Sequence, residues 1–220
     1  MERTITVKGT GSASAKPDYI IISMTVESVD LDYDRSMAGA ASRVDALSKA
    51  AVGAGCEKGD MKTASFHAET RYENVRDSQG GYTRKFIGYA CVYHLKLSFD
   101  FDSKQLARVL SAIAESHAEP EVSIAFTVKE PERIGEALLI DAAKNARAKA
   151  EILCKASGST LGELMHIDCH WDEPDLVSRT SYQGENAVQP LMAASRCAAP
   201  EMEPEDIRLH DRVTFVWSLL

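Results

Sequence analysis

The chain has no apolar run near the ~20 residues that cross a membrane as a helix; residues 19–22 are typical of its longest. A basic and apolar leader is missing as well, because Met-Glu-Arg-Thr-Ile-Thr-Val enters a strand pattern at once, so no signal peptide is visible. Positive charge is in deficit. With 25 Lys and Arg against 33 Asp and Glu, the net charge of −8 opposes a phosphate backbone and argues against a nucleic-acid partner. Cysteine is sparse and shows no pairing pattern. Cys56, Cys91, Cys154, Cys169 and Cys197 are odd in number, widely scattered and without a CxxC. That favours free thiols in a reducing compartment and a cytoplasmic location. A periplasmic location is the alternative for a chain whose leader has been removed.

What is present is ordinary globular composition. At 220 residues, 45% apolar and 26% charged, the chain can bury a sizeable core in one large or two small domains. Its best-defined stretch is 131–157, which reads as a long helix. Ile134, Leu138, Ala142, Ala146, Ala150 and Leu153 recur at three- and four-residue steps, placing them on one face. Pro131 suits the first helical turn and Gly158 the left-handed position past the end. The alanines in that stripe allow a helix to lie very close to what it covers.

Alternation predicts strands at 4–8, 19–28, 61–73, 82–99, 121–128, 164–171 and 207–219. Gly9-Thr10-Gly11 reads as a tight turn, since a dinucleotide loop would need a third glycine and a following helix. A helix capped by Asp30, Asp32 or Asp34 runs to about Val52, and a second opens at Asp102 with a capping box to Gln105. Segment 74–81 is a polar turn joining a long hairpin, with Gly88 marking a bulge or bend. Periodicity vanishes from 172 to 206, which carries four prolines and an acidic end. The order β-β-α-β-β-α-β-α-β-loop-β points to an α+β fold with antiparallel or mixed sheets and helices packed on one face. We divide it into an N-terminal part, 1–87, and a second part, 88–220, whose last strand can return to the first sheet.

Few residues stand out for chemistry. His166, Asp168 and His170 point one way on a strand, and two imidazoles with a carboxylate are acceptable zinc ligands. No fourth ligand is evident unless His210 lies on a neighbouring strand, and the wet face of a half-buried strand, with Ile167, Cys169 and Trp171 inward, is the better account of the pattern, because residues two apart diverge with the sheet. His67, His94 and His117 occupy ordinary positions, and Arg71, Arg84 and Lys85 read as isolated, solvated cations. Tyr72, Tyr82, Tyr89 and Tyr93 crowd the hairpin, as cross-strand packing or a subunit interface. No catalytic, cofactor-binding or metal-binding residue is assigned, and the chain reads as a non-enzyme.

Taken together, Ile5-Thr6-Val7-Lys8-Gly9-Thr10-Gly11, Pro17-Asp18, Gly88-Tyr89, Phe126, Pro131, Glu136-Ala137-Leu138, Ala142, Ala146, Lys149-Ala150-Glu151, Gly158, Leu161-Gly162 and Val213-Thr214-Phe215-Val216 resemble the SIMPL-domain family. That family includes bacterial periplasmic immunogenic and oxidative-stress-defence proteins. The resemblance implies two small interleaved α/β sandwich-like domains, homo-oligomers (ring- or channel-like in some members), and a role in envelope or oxidative stress. It transfers no enzymatic activity. The resulting expectation is a self-assembling protein acting through its surfaces, in stress protection or as an adaptor, with 188–199 apolar enough to dock on a neighbour. The alternative is a metal-binding protein or metal-dependent hydrolase using His166, Asp168 and His170.

Overall fold

A computed structural model describes residues 3–76, 81–169, 176–184 and 203–220. The elements in chain order are β1 (Thr4–Ala15), β2 (Tyr19–Asp30), α1 (Tyr33–Gly53), β3 (Met61–Arg76), β4 (Tyr82–Asp100) and α2 (Ser103–Glu115). They continue as β5 (Glu121–Thr127), α3 (Pro131–Ser157), β6 (Leu161–Asp168), β7 (Ser181–Gly184) and β8 (Ile207–Leu219). The fold is α+β, with one sheet ordered β1-β8-β6 and another ordered β3-β4-β2-β5-β7. Two compact units result: Met1–Asp18, Thr127–Arg179 and Pro204–Leu220 form one, and Tyr19–Phe126 with Thr180–Glu203 the other. The units interleave along the chain. A boundary at 87/88 would cut β4 in two, so the parts 1–87 and 88–220 do not coincide with them.

In the first unit β8 pairs antiparallel with β1 from Thr4↔Ser218 to Ala15↔Ile207. Val7, Val213, Phe215 and Trp217 pack against Ala142, Ala146 and Ala150 of α3. The helix ends as its sequence requires. Pro131 occupies the first turn, where no N–H is needed, and Gly158 takes the left-handed conformation at φ 71° while Ser159 N–H returns to Cys154 O at 2.9 Å. Its buried stripe steps by four from Leu138 through Ala142, Ala146 and Ala150 to Cys154, so Cys154 takes the place expected of Leu153, which is 52% exposed.

Gly9-Thr10-Gly11 is not a turn. The strand runs straight through it to Ala15, and the glycines are required by the helix above. A Cβ at Gly9 would strike the carbonyl oxygen of Ala142 and lie 2.8 Å from the Ala146 methyl; one at Gly11 would strike the carbonyl of Leu138. Glycine beneath and alanine above therefore set the spacing of α3 over β1.

The second unit stacks α1 and α2 on one face of its sheet. Ile20, Ile22, Met24 and Val26 of β2, Leu95, Leu97 and Phe99 of β4, and Val122, Ile124 and Phe126 of β5 bury with Leu47, Leu106, Val109 and Ile113. Alternate residues of β2 are buried, as one covered face demands. Asp32 caps α1 by accepting from Arg35 N–H, and Asp102 caps α2 by accepting from Lys104 N–H. Gln105 does not complete a capping box; its amide lies 3.8 Å from Cys56 Sγ.

β3 and β4 form a long hairpin with register shifts at Thr63/Ser65 and Arg71/Tyr72. The second shift lies across from Gly88, whose φ of 143° and contact with the Asp30 carbonyl leave no room for a side chain. β2 ends opposite Tyr89, so the hairpin beyond Gly88 is a two-stranded arm. The stretch 172–206 is not wholly aperiodic, since β7 within it pairs with β5 from Ala125↔Ser181 to Val122↔Gly184. Four residues joining a sheet edge by backbone hydrogen bonds need no alternating pattern. The expected docking segment 188–199 lies outside the described residues.

Gly9→Ala should destabilise the chain by about 2–3 kcal/mol, because the added methyl meets a helix backbone that cannot swing away. Gly59→Ala, where nothing lies within 4 Å, should stay within about 0.5 kcal/mol of wild type. Urea denaturation checks both, and equal midpoints for the two variants would contradict the close approach.

Candidate functional site

Of the residues nominated for chemistry, His166 and Asp168 lie on β6, which spans Leu161–Asp168 and so begins three residues before the expected 164. It is the last strand of its sheet, and α3 lies over β1 and β8 instead. This explains why Ile167, expected inward, is 48% exposed although it lies opposite Phe215, and why Cys169 is exposed too. His166 and Asp168 share the other face, opposite Val216 and Thr214. His170 and Trp171 fall outside the described residues. His210 does stand on the neighbouring strand, but four positions along β8 from the partner of Asp168, or about 13 Å at the strand rise. Its Nδ1 lies instead 3.1 Å from Ser12 Oγ. Among the described residues, no group of three His, Cys, Asp or Glu side chains comes close enough to hold a metal ion.

Pairing in the second unit joins polar residues that looked independent. His67 and His94 lie on adjacent strands with near-parallel rings, centroids 5.8 Å apart, and Thr25 Oγ1 is 3.1 Å from His94 Nδ1. Arg71 is not isolated: its Nη2 lies 2.6 Å from Glu27 Oε1 and 3.3 Å from Glu69 Oε1. Arg84 stands 4.8 Å over the Tyr72 ring as a cation–π contact. Hairpin register sets all three arrangements, and the shift at Thr63/Ser65 is invisible to spacing along the chain. The only available signal was the period-two recurrence of His67, Glu69 and Arg71.

The first unit also holds an open cleft of about 590 Å³ where the last turns of α3 meet β6 and β8, lined by Arg147, Glu151, Cys154, Thr160, Glu163 and Trp217. Arg147 Nε donates to Glu151 Oε1 at 3.0 Å, which ties up that carboxylate. Cys154 is 2% exposed at the back of the cleft. Cys56 and Cys91 are buried as well. Burial pushes the Cys56 thiol upward in pKa, with the Gln105 hydrogen bond partly opposing, so this sulfur is held as a poorly nucleophilic thiol.

The family model described as SIMPL, protein of unknown function (DUF541), matches residues 5–217. No curated protein matches the chain. No helix among the described residues is long and apolar enough to cross a membrane.

Burial orders the four described thiols. Cys169 should react with a disulfide reagent at least about tenfold faster than Cys56, Cys91 or Cys154 in the folded protein, and the difference should vanish in denaturant. Labelling read peptide by peptide in a mass spectrometer tests this, with fast native labelling of Cys56 as the contrary result.

Proposed function

As the chain belongs to the SIMPL family, we propose that it is a non-enzymatic, self-assembling protein that acts through its surfaces, in stress protection or as an adaptor. Its partners on this reading are further copies of the chain rather than nucleic acid. The supporting observation is the arm of β3 and β4 beyond Gly88. A two-stranded ribbon is marginal in water by itself, yet this one presents Tyr72, Val75, Tyr82 and Ile87 to solvent, with Tyr82 76% exposed. Tyr72 packs on Phe86 at 5.6 Å and Phe86 on Tyr89 at 5.4 Å, so the arm carries an ordered row of rings. Exposed rings on an ordered ribbon are the kind of surface that a protein partner covers. Buried thiols at Cys56, Cys91 and Cys154 accord with a reducing, cytoplasmic setting.

The rival reading, a metal-binding protein or metal-dependent hydrolase on His166, Asp168 and His170, has in its favour the shared face of His166 and Asp168. Elemental analysis of untagged protein separates the two. Self-assembly without metal chemistry predicts less than about a tenth of an equivalent of any transition metal and no thermal shift on adding zinc. Light scattering on a sizing column, with and without reductant, should give a discrete oligomer whose mass does not depend on reductant. A monomer at every concentration would remove the self-assembly reading.

A further inference from the structure

The five-stranded sheet carries positive charge on the face turned away from α1 and α2. Alternation sends Ile22, Met24 and Val26 of β2 and Leu95 and Leu97 of β4 toward the helices, so Thr25, His94 and Lys96 stand on the other side. On β3, Lys62 and His67 are an odd number of positions apart and would point to opposite faces of a regular strand. The extra residue in the shift at Thr63/Ser65 brings them to one face. Lys62 then lies directly opposite Lys96, and His67 lies opposite Val92 with its ring stacked on that of His94. Four side chains able to carry positive charge therefore gather within four residues of β4, about 13 Å at the strand rise.

The opposed lysines act against the fold. Like charges directly across neighbouring strands destabilise a sheet, and this pair has no internal relief. Among the described residues neither Lys62 nor Lys96 forms an ion pair, although the chain carries a net charge of −8. The carboxylates of this face on β2 and β3, Glu27 and Glu69, are both held by Arg71. Asp100 lies at the far end of β4, four positions past Lys96. The patch is thus cationic in the middle and bounded by carboxylates at both ends. Its hydrogen-bonding groups are in place as well. His94 is half-buried with Nδ1 taken by Thr25 Oγ1 at 3.1 Å, which leaves Nε2 as the nitrogen available to a ligand. Ser23, opposite Lys96, and Ser65, opposite His94, add hydroxyl groups.

We propose that this patch binds a compact, soluble dianion of the phosphate class, such as inorganic phosphate, pyrophosphate or a small phosphate monoester. The inference stands apart from self-assembly. Ammonium groups on opposed strands act as point charges that one phosphate can bridge, and the bound dianion replaces their repulsion with two attractions. The flanking carboxylates set the size of the ligand. A long polyanion laid along the strands would meet Glu27 and Glu69 at one end and Asp100 at the other, at distances where like charges repel. Exposure of Lys62, Lys96 and His67 makes the site weak and sensitive to salt.

Calorimetric titration of the full chain with pyrophosphate, at about 20 mM salt, tests it. One saturable site per chain is expected, with a Kd at or below about 1 mM. Lys62→Gln and Lys96→Gln should each weaken binding about threefold or more, and the two together about tenfold. Lys144→Gln, on α3, should bind as the wild type does. Lys62→Glu separates the site from the fold: it sets opposite charges across the two strands, so it should melt at or above the wild type in phosphate-free buffer while losing pyrophosphate binding. No saturation up to about 10 mM pyrophosphate, or equal affinities for wild type and Lys62→Glu, would overturn the site. A single-stranded DNA of about twenty nucleotides that binds more tightly per phosphate than pyrophosphate would overturn the compact ligand.

Discussion

The close seating of α3 on β1 is the contact from which the first unit follows. Gly9 and Gly11 remove the side chains that would hold the helix off, and Ala142 and Ala146 do the same from above. Only at that distance can Asp141, Asn145 and Lys149 reach the backbone of β1. One approach thus serves packing and edge closure together, and the residues responsible are among the smallest in the chain. It also accounts for the composition of the helix face: larger side chains at 142 and 146 would bury more area but lift the helix away from the strand's polar groups.

Covering one edge leaves less helix for the other. α3 is long enough to lie over β1 and β8, and its buried stripe ends at Cys154. β6 therefore keeps apolar side chains in partial exposure, although Leu164 and Ile167 lie opposite Trp217 and Phe215. The second unit shows a related imbalance. Its two helices cover the centre of a five-stranded sheet, while the β3–β4 hairpin continues past the end of β2 and exposes aromatic rings. In both places ordered strands carry apolar surface that local structure does not hide. That is an argument about partners rather than about reactions.

Much of the secondary structure was legible because it depends on local chemistry. Pro131, Gly158, Asp32 and Asp102 bound their helices through backbone groups a few residues away, and β2 alternates because one face is covered along its full length. The misreadings share one cause. Gly9-Thr10-Gly11 resembles a turn until a helix crosses it, β7 has no pattern because its stability comes from β5, and Leu153 yields to Cys154 because the face turned to the sheet continues from Ala150 by a further step of four. For the candidate site, the shared face of His166 and Asp168 followed from the period of a strand, whereas the remoteness of His210 followed from register.

Residue spacing alone was therefore enough for the α+β class, the helix ends and the alternation of the central strands, since each is decided within a few residues of chain. Which strands are neighbours and which edge is closed depend on contacts between residues far apart in the chain, such as Ser12 with Asp141 or Ala15 with Ile207, and the hairpin's register shifts depend on cross-strand pairing rather than on spacing along either strand. Such contacts leave no mark in any short window, because their free energy comes from surfaces that meet only once the chain has folded.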